Sequence, residues 1–473
     1  MKLIPKIFTL FVALACLLFS TFSVASDNSI SAAACVIRSG DKLVLIKEIL
    51  TDKLSLPAGG VEQGESPKLA AQREAWEETG LVVTAKSELG RYEKAVFYDC
   101  VSDSDIVAFQ SSNAIGGHEL PVWFAPHYGV EVASAMLIEP WKVDKDEYRF
   151  PEQLDWLANL LPQATDQGVV LVSELTQAAP EFHQRELRWL RALQDLFSSF
   201  PSGLFHFVER LLVAGNGLAA PSLMVVMFPL IYWRFGREFS YTVIFAVTVT
   251  SLLSLVAQQG FTLARPHVYS PDLALITSYG FSLPNLPIAI WSCVGALALS
   301  RGHQLSVNRY TIVWVVLISW LALAQFYSAA AFLVDSLSGA LLGSLCAWHL
   351  IRLQSSPDMD FPSLITSKTL WIILTLVCIV LTIIWPTPSF TYWLVIVLTL
   401  LVLAPTSRRE GASASGKSLI GITAILVALN LVLENLTGYV SSSSIASLVA
   451  QALRYPLLMV VFTLAIRKVA KAV

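Results

Sequence analysis

From Ala219 onward the chain runs through nine apolar stretches, near 219–233, 239–257, 284–300, 310–326, 331–351, 369–385, 390–405, 418–437 and 445–466. Most of these are long enough to cross a lipid bilayer. Composition agrees: 55% of the 473 residues are hydrophobic, only 14% are charged, and the mean hydropathy is +0.62, too apolar for a soluble protein of this size. Basic residues follow alternate stretches. Arg234 and Arg237 come after the first, Arg301 and Arg309 after the third, Arg352 after the fifth, Arg408, Arg409 and Lys417 after the seventh, and Arg467, Lys468 and Lys471 after the ninth. Positively charged loops stay in the cytoplasm. The carboxy-terminal half is therefore expected to be an all-α polytopic bundle of about nine helices, with the amino-terminal half on the opposite side of the membrane.

That amino-terminal half is where the charge lies, dense from about Ser26 to Arg191 and thin beyond Leu204. Ahead of it, Lys2 and Lys6, an apolar run over 7–22 and the small residues Ser23-Val24-Ala25-Ser26 have the layout of a secretory signal. An uncleaved anchor would give the same orientation. Both readings place the polar domain on the periplasmic side of a bacterial-type inner membrane. A net charge of −3 argues against nucleic acid as a partner, since that affinity rests on basic side chains meeting phosphates. Of six cysteines only Cys35 and Cys100 fall in the polar half. They are either a disulfide, which an oxidising compartment permits, or two buried thiols in separate strands. No C-x-x-C or Cys/His cluster suggests zinc.

The chemistry is concentrated in Leu56-Pro-Ala-Gly-Gly-Val-Glu-Gln-Gly-Glu-Ser-Pro, which leads into a helix ending Arg73-Glu74-Ala75-Trp76-Glu77-Glu78-Thr79-Gly80. Ser66 is a natural cap, Pro67 suits the first turn and Gly80 is a natural stop. Glu74, Glu77 and Glu78 stand at i, i+3 and i+4, so one helical face carries three carboxylates. They repel one another unless a cation joins them. With no His or Cys close by in the sequence, oxygen ligands point to a hard cation, Mg²⁺ or Mn²⁺, which also binds diphosphate oxygens. Gly59, Gly60 and Gly64 allow a tight loop whose backbone approaches the site.

The spacing of Gly59, Glu65, Arg73-Glu74, Glu77-Glu78 and Gly80 resembles an intact Nudix box. The resemblance implies an α/β/α sandwich that hydrolyses a diphosphate linkage. By the same resemblance Glu74, Glu77 and Glu78 hold the metal with the carbonyl of Ala58, and Glu74 is a candidate for activating water. Gly59, Glu65, Arg73 and Gly80 are then structural or orienting residues. A further acidic ligand from a later loop is expected, with Glu119, Glu131 and Glu139 as candidates.

The membrane half resembles, more weakly, the type-2 phosphatidic acid phosphatase family. The cues are Leu-Ile-Tyr-Trp over 230–233, Ala264-Arg265-Pro266, Tyr279-Gly280-Phe281-Ser282, and Asp335 followed by Ser338-Gly339-Ala340-Leu341-Leu342-Gly343. Counted back from Asp335, the family's nucleophilic histidine becomes Ala331, and the second motif reads Pro284-Asn285-Leu286-Pro287, so its general-acid histidine becomes Pro287. A phosphoenzyme needs an imidazole nucleophile and an acid for the leaving group, and neither residue supplies one. His267 is expected to be a solvated loop histidine, so the phosphatase-like site of Arg265, His267, Pro287, Ala331 and Asp335 reads as degenerate.

The resulting division is a signal over 1–26, a Nudix domain over 27–170, a linker with an interfacial helix over 171–217, a phosphatase-like membrane domain over 218–355 and additional helices over 356–473. The leading reading is a divalent-metal-dependent hydrolase of a diphosphate-containing small molecule or a lipid-linked diphosphate. A lipid (undecaprenyl-type) diphosphate phosphatase acting through the membrane domain is one alternative. A non-catalytic, nucleotide-binding sensor is another.

Overall fold

The computed structural model describes residues 30–405 and 415–472; the signal segment and the basic pair Arg408-Arg409 lie outside the described residues. The amino-terminal half is mixed α/β. Its elements are β1 (Ala32–Val36), β2 (Arg38–Ser39), β3 (Lys42–Glu48), β4 (Leu54–Ser55), β5 (Ala58–Gly60), α1 (Pro67–Thr79), β6 (Val83–Tyr92), β7 (Ala95–Ser102), β8 (Ile106–Phe109), β9 (His118–Glu119), β10 (Val132–Ile138), α2 (Pro151–Leu160) and β11 (Val169–Val172). One sheet runs β5-β1-β7-β6 and a second β2-β3-β10-β9, with β4 on the edge of β3. β1 and β7 are parallel, which the intervening helix α1 makes possible.

Both faces of these sheets are covered, and the strand sequences show why. Alternate residues of a strand point to opposite sides. Ala33, Cys35 and Ile37 of the first strand region and Val44 and Ile46 of β3 pack with Ala70, Ala71 and Ala75 of α1. Their neighbours Ala34, Val36, Leu43 and Leu45 pack with Leu154 and Leu157 of α2. The small residues Ala70, Ala71 and Ala75 hold α1 close against the sheet. Cys35 and Cys100 come from adjacent strands, with Cα atoms 5.4 Å apart, and form a disulfide, which resolves the two readings left open by the sequence. β11 pairs in parallel with β8, so the sheet structure runs to Val172, past the boundary expected at 170.

The rest is helical: α3 (Glu181–Ser198), α4 (Ser202–Ala214), α5 (Leu223–Phe261), α6 (Pro266–Tyr269), α7 (Leu286–Arg301), α8 (Arg309–Tyr327), α9 (Leu333–Gln354), α10 (Phe361–Ile365), α11 (Lys368–Ile384), α12 (Pro388–Leu403), α13 (Gly416–Tyr439) and α14 (Ser444–Ala472). Five of them, α5, α8, α9, α13 and α14, are long and apolar enough to cross a membrane; α7, α11 and α12 are shorter. The first two of the nine apolar stretches both lie in α5, which is two helical segments meeting at a kink at Gly236, with φ 83° and ψ 179°. Only glycine adopts that backbone readily.

The two halves share a core rather than a tether. Ala264, Val268, Tyr269 and Phe332 join the hydrophobic cluster on the α1 side of the sheets. Gly129 and Gly280 meet backbone to backbone, where a Cβ on Gly129 would stand 2.9 Å from the Gly280 Cα. The expected linker is largely a docked helix: His183 of α3 stacks on Phe332 with ring centroids 3.7 Å apart, and Glu186 accepts hydrogen bonds from the amides of Leu333 and Val334 at the start of α9.

His183 is fully buried, and burial pushes its imidazole down from 6.5 to about 4. Between those values the unfolded chain takes up a proton that the folded one refuses. The stabilisation is complete above pH 6.5 and is lost as pH falls toward 4, at a cost of up to roughly 3 kcal/mol. Thermal melts at pH 7 and pH 4.5 should therefore show a larger drop for the parent than for His183→Gln. Equal drops would mean that His183 is not the buried neutral group described.

Candidate active site

Helix α1 begins where its sequence says it should. The Ser66 hydroxyl accepts a hydrogen bond from the Leu69 amide at 3.3 Å, Pro67 occupies the first turn, and Gly80 ends the helix in the left-handed conformation with φ 71°. Glu74 and Glu78 are consequently turned inward and are 7% and 5% exposed, with Glu77 half-buried beside them. Arg73 ties the cluster together. Its guanidinium donates to Glu74 at 2.7 Å, to Glu77 at 2.9 Å, to both Glu65 oxygens at 3.1 Å and to the Gly60 carbonyl at 2.9 Å. Such fork geometry is specific to arginine, and lysine would not reproduce it.

The electrostatics follow from these contacts. Hydrogen bonding to Arg73 holds the Glu65 carboxyl below its ordinary range. Burial pushes Glu74 up despite Arg73, and it pushes Glu78 well up, helped by the charge of Glu74. Glu78 has one donor recorded, the Ala58 amide at 2.9 Å. A second carboxylate also bears on this pair: the charge of Glu131 raises both Glu74 and Glu78. Of the three later residues offered by the sequence, Glu131 is the one brought to the site. Glu119 is half-buried on β9, hydrogen-bonded to Asn113, and Glu139 pairs with Lys142 at 3.0 Å.

The residue that sequence reasoning missed is His127. Its Nε2 lies 3.8 Å from Glu77 and its Nδ1 3.5 Å from Glu131. One ligand atom from each of Glu74, Glu77 and His127 falls within 4.8 Å of the others, so a nitrogen does stand beside the oxygen ligands. The only trace of this in the sequence is the spacing His127-x3-Glu131 around the turn at Gly129.

These residues fit a divalent cation on two grounds. The cluster carries far more negative than positive charge, with Arg73 as its one bonded cation among the described residues. The loop also leaves room for the Glu74 carboxylate that would hold it: a Cβ on Gly59 would stand 2.0 Å from a Glu74 carboxylate oxygen. Gly59→Ala is therefore expected to displace that carboxylate without unfolding the domain. Divalent-metal affinity should fall about tenfold or more, as for other groups that set ligand orientation. Calorimetric titration checks this, with a melting temperature within a few degrees of the parent as the control.

The phosphatase-like positions lie in a packed junction. Arg265 donates to the carbonyls of Tyr279, Phe281 and Ala330. His267 is not a solvated loop residue: its Nδ1 lies 3.2 Å from both the Ala329 carbonyl and the Ser278 hydroxyl, and burial pushes it down to about 4. Pro287 sits in the first turn of α7 and Ala331 is buried. Asp335 accepts from the Ser282 hydroxyl at 2.6 Å and the Phe332 amide at 2.9 Å, capping the start of α9, with His183 Nε2 3.9 Å away. A cleft of about 490 Å³ lies elsewhere, lined by Ser111, Ser173, Glu174, Arg191 and Asp272 among others, and its arginine is already paired with both acids.

Comparison with known proteins bears on the polar half. Residues 28–158 match the sequence model of the NUDIX domain. Over 66 residues the chain is 35% identical to a "MutT-like protein" of Streptomyces ambofaciens; the match covers 14% of this chain and 43% of that relative, so the chain spans less than half its length. Among solved structures, a NUDIX hydrolase from Nitrosomonas europaea matches 32% of this chain and 82% of its own, at 17% identity and a TM-score of 0.22.

Proposed function

We propose that the Nudix domain of residues 28–158 is a divalent-metal-dependent hydrolase of a diphosphate linkage, held at the outer face of a membrane by the helices that follow it. The observation that carries the reading is the convergence of Glu74, Glu77 and Glu78 on one buried face of α1, oriented by Arg73 and faced by the Gly59 loop.

In this reading Glu74, Glu77 and Glu78 hold Mg²⁺ or Mn²⁺, with the Ala58 carbonyl as a further ligand. Bound there, a divalent cation would supply charge to neutralise diphosphate oxygens and so ease water attack on phosphorus. Arg73 fixes the rotamers of Glu74 and Glu77, while Glu65, held ionised, fixes Arg73. Glu74 takes the proton of the attacking water. A new oxygen–phosphorus bond forms, the bridging phosphorus–oxygen bond breaks, and the released phosphate departs with that oxygen.

Several observations support the membrane placement. Five helices have the length and apolarity to span a bilayer, and basic residues follow alternate apolar stretches. The segments that touch the Nudix domain are 264–281, 329–335 and 442–451. By the basic-residue count all three lie at the ends of the apolar stretches away from the cytoplasm, the side assigned to the domain itself. The Cys35–Cys100 disulfide suits such a compartment.

Both flanks of the carboxylate cluster meet the helical half, one at a loop and one at a helix start. The His127–Val132 loop touches Gly280, and Glu48, bonded to Arg149, lies beside Ser444 at the start of α14. A lipid-linked diphosphate would reach this position from the bilayer, and a soluble diphosphate from the other side. Purified full-length protein in detergent should be offered nucleotide diphosphates and polyprenyl diphosphates with Mg²⁺, and phosphate release measured. Metal-dependent turnover of either supports hydrolysis and chooses the source; metal-independent binding without turnover would mean a sensor.

A further inference from the structure

Resting on the reading of this cluster as a metal site, we infer that His127 is a nitrogen ligand to the cation, oriented by Glu131, and that the site therefore favours Mn²⁺ over Mg²⁺. The Nudix box supplies oxygen donors alone. The tertiary structure adds an imidazole to them, with one ligand atom from each of Glu74, Glu77 and His127 within 4.8 Å of the others. Cation ligands at about 2.1 Å need only a small inward turn of these side chains to converge.

The position of His127 is built, not incidental. Its amide donates to the Glu77 carbonyl at 2.8 Å, so the loop is pinned to the end of the helix that carries the carboxylates. The amides of Val130, Glu131 and Val132 all donate to the His127 carbonyl, closing the loop into a tight turn. Tyr128 and Gly129 then pack against Phe281 and Gly280. The loop backbone is thus fixed, and the ring lies between two carboxylates, with Nε2 3.8 Å from Glu77 and Nδ1 3.5 Å from Glu131. A histidine that ligates a metal through one nitrogen usually gives its other N–H to a carboxylate, which fixes the tautomer and makes the ligand more basic. Glu131 stands 3.5 Å from His127 Nδ1, which has no other hydrogen-bond partner, so a small shift on metal binding completes that arrangement and gives Glu131 a role distinct from that of another oxygen ligand.

The consequence is selectivity. Mg²⁺ demands a strict oxygen octahedron and keeps its water, whereas Mn²⁺, although the weakest binder of the first-row transition ions, accepts an imidazole nitrogen beside its oxygen ligands more readily than Mg²⁺ does. Mn²⁺ is also paramagnetic, so the nitrogen can be detected without an activity assay. Full-length protein in detergent should be loaded with Mn²⁺ and its pulsed paramagnetic resonance spectrum recorded for the parent, His127→Gln, His127→Asp, Glu131→Gln and Glu74→Gln.

The parent is expected to show ¹⁴N modulation from one imidazole. That modulation should vanish in both His127 variants, with Mn²⁺ affinity falling about tenfold or more in His127→Gln and Mg²⁺ affinity changing much less. His127→Asp, which restores an oxygen, should still bind Mn²⁺ and so exclude misfolding as the cause. Glu131→Gln should retain the modulation with weaker binding. A parent spectrum without ¹⁴N modulation, or one unchanged in His127→Gln, overturns the inference and leaves the carboxylate site standing. Undiminished Mn²⁺ binding in Glu74→Gln would overturn the metal site itself, and the inference with it.

Discussion

Glu78→Gln is expected to lower Mg²⁺-dependent hydrolysis by about 10³-fold or more, while Asp335→Ala and Asp335→Asn leave turnover per folded molecule within about twofold. The first figure is the order that follows when several kcal/mol of cation-mediated charge stabilisation are lost. Glu78 is 5% exposed and bonded to the Ala58 amide, so glutamine fits the same space and keeps an acceptor for that amide. Loss of activity would then reflect loss of charge and not of structure.

Stability should move the other way. Burial and the Glu74 charge hold the folded-state pKa of Glu78 above its unfolded value. The contribution of the protonated carboxyl is present at low pH and is lost as pH rises through that raised value, where a buried charge must be carried. Without metal, Glu78→Gln should therefore melt above the parent at pH 8, and added Mg²⁺ should stabilise the parent more than the variant. The reverse activity pattern, with turnover abolished at Asp335 and kept in Glu78→Gln, would move catalysis to the helical half as a lipid diphosphate phosphatase. Silence in the parent as well would favour the ligand-binding reading.

Breaking the Cys35–Cys100 disulfide should cost the Nudix domain about 4 kcal/mol, the loop-closure value for a cross-link of this span. The cysteines are 65 residues apart in sequence, so the bond closes nearly half of the domain, including β3, α1 and β6. Urea unfolding followed by circular dichroism, with and without reductant and in Cys35→Ala/Cys100→Ala, measures the difference. A parent indifferent to reductant would mean that the pair is two buried thiols. Both sulfurs are fully buried between sheet and helix, so alanine there also leaves a small cavity. Reduction separates the two effects because it removes the bond and keeps the atoms.

Much of this architecture was legible before any coordinates. Helix α1 announces itself through Ser66, Pro67 and Gly80, and its i, i+3, i+4 glutamates must share a face because the helical repeat puts them there. The apolar stretches were readable for the same reason: each depends on local composition alone. The first two apolar stretches correspond to the two helical segments of α5 that meet at the kink at Gly236. The expected solvated state of His267 was wrong because exposure is set by what packs over a loop, here the 326–331 turn that supplies the Ala329 carbonyl.

The candidate site divides along the same line. The sequence by itself determined the carboxylate face and the glycine loop that approaches it, within two dozen residues whose geometry one loop and one helix impose, while the orienting Arg73–Glu65 pair came from the family resemblance. Only the tertiary structure decided which distant groups join them. Choosing Glu131 over Glu119 and Glu139, placing His127 beside Glu77, pairing Cys35 with Cys100 and docking His183 against Asp335 each depend on how separate elements pack. Local periodicity carries no information about such neighbours, because they are set by burial of the shared core between the two halves and not by the order of residues along the chain.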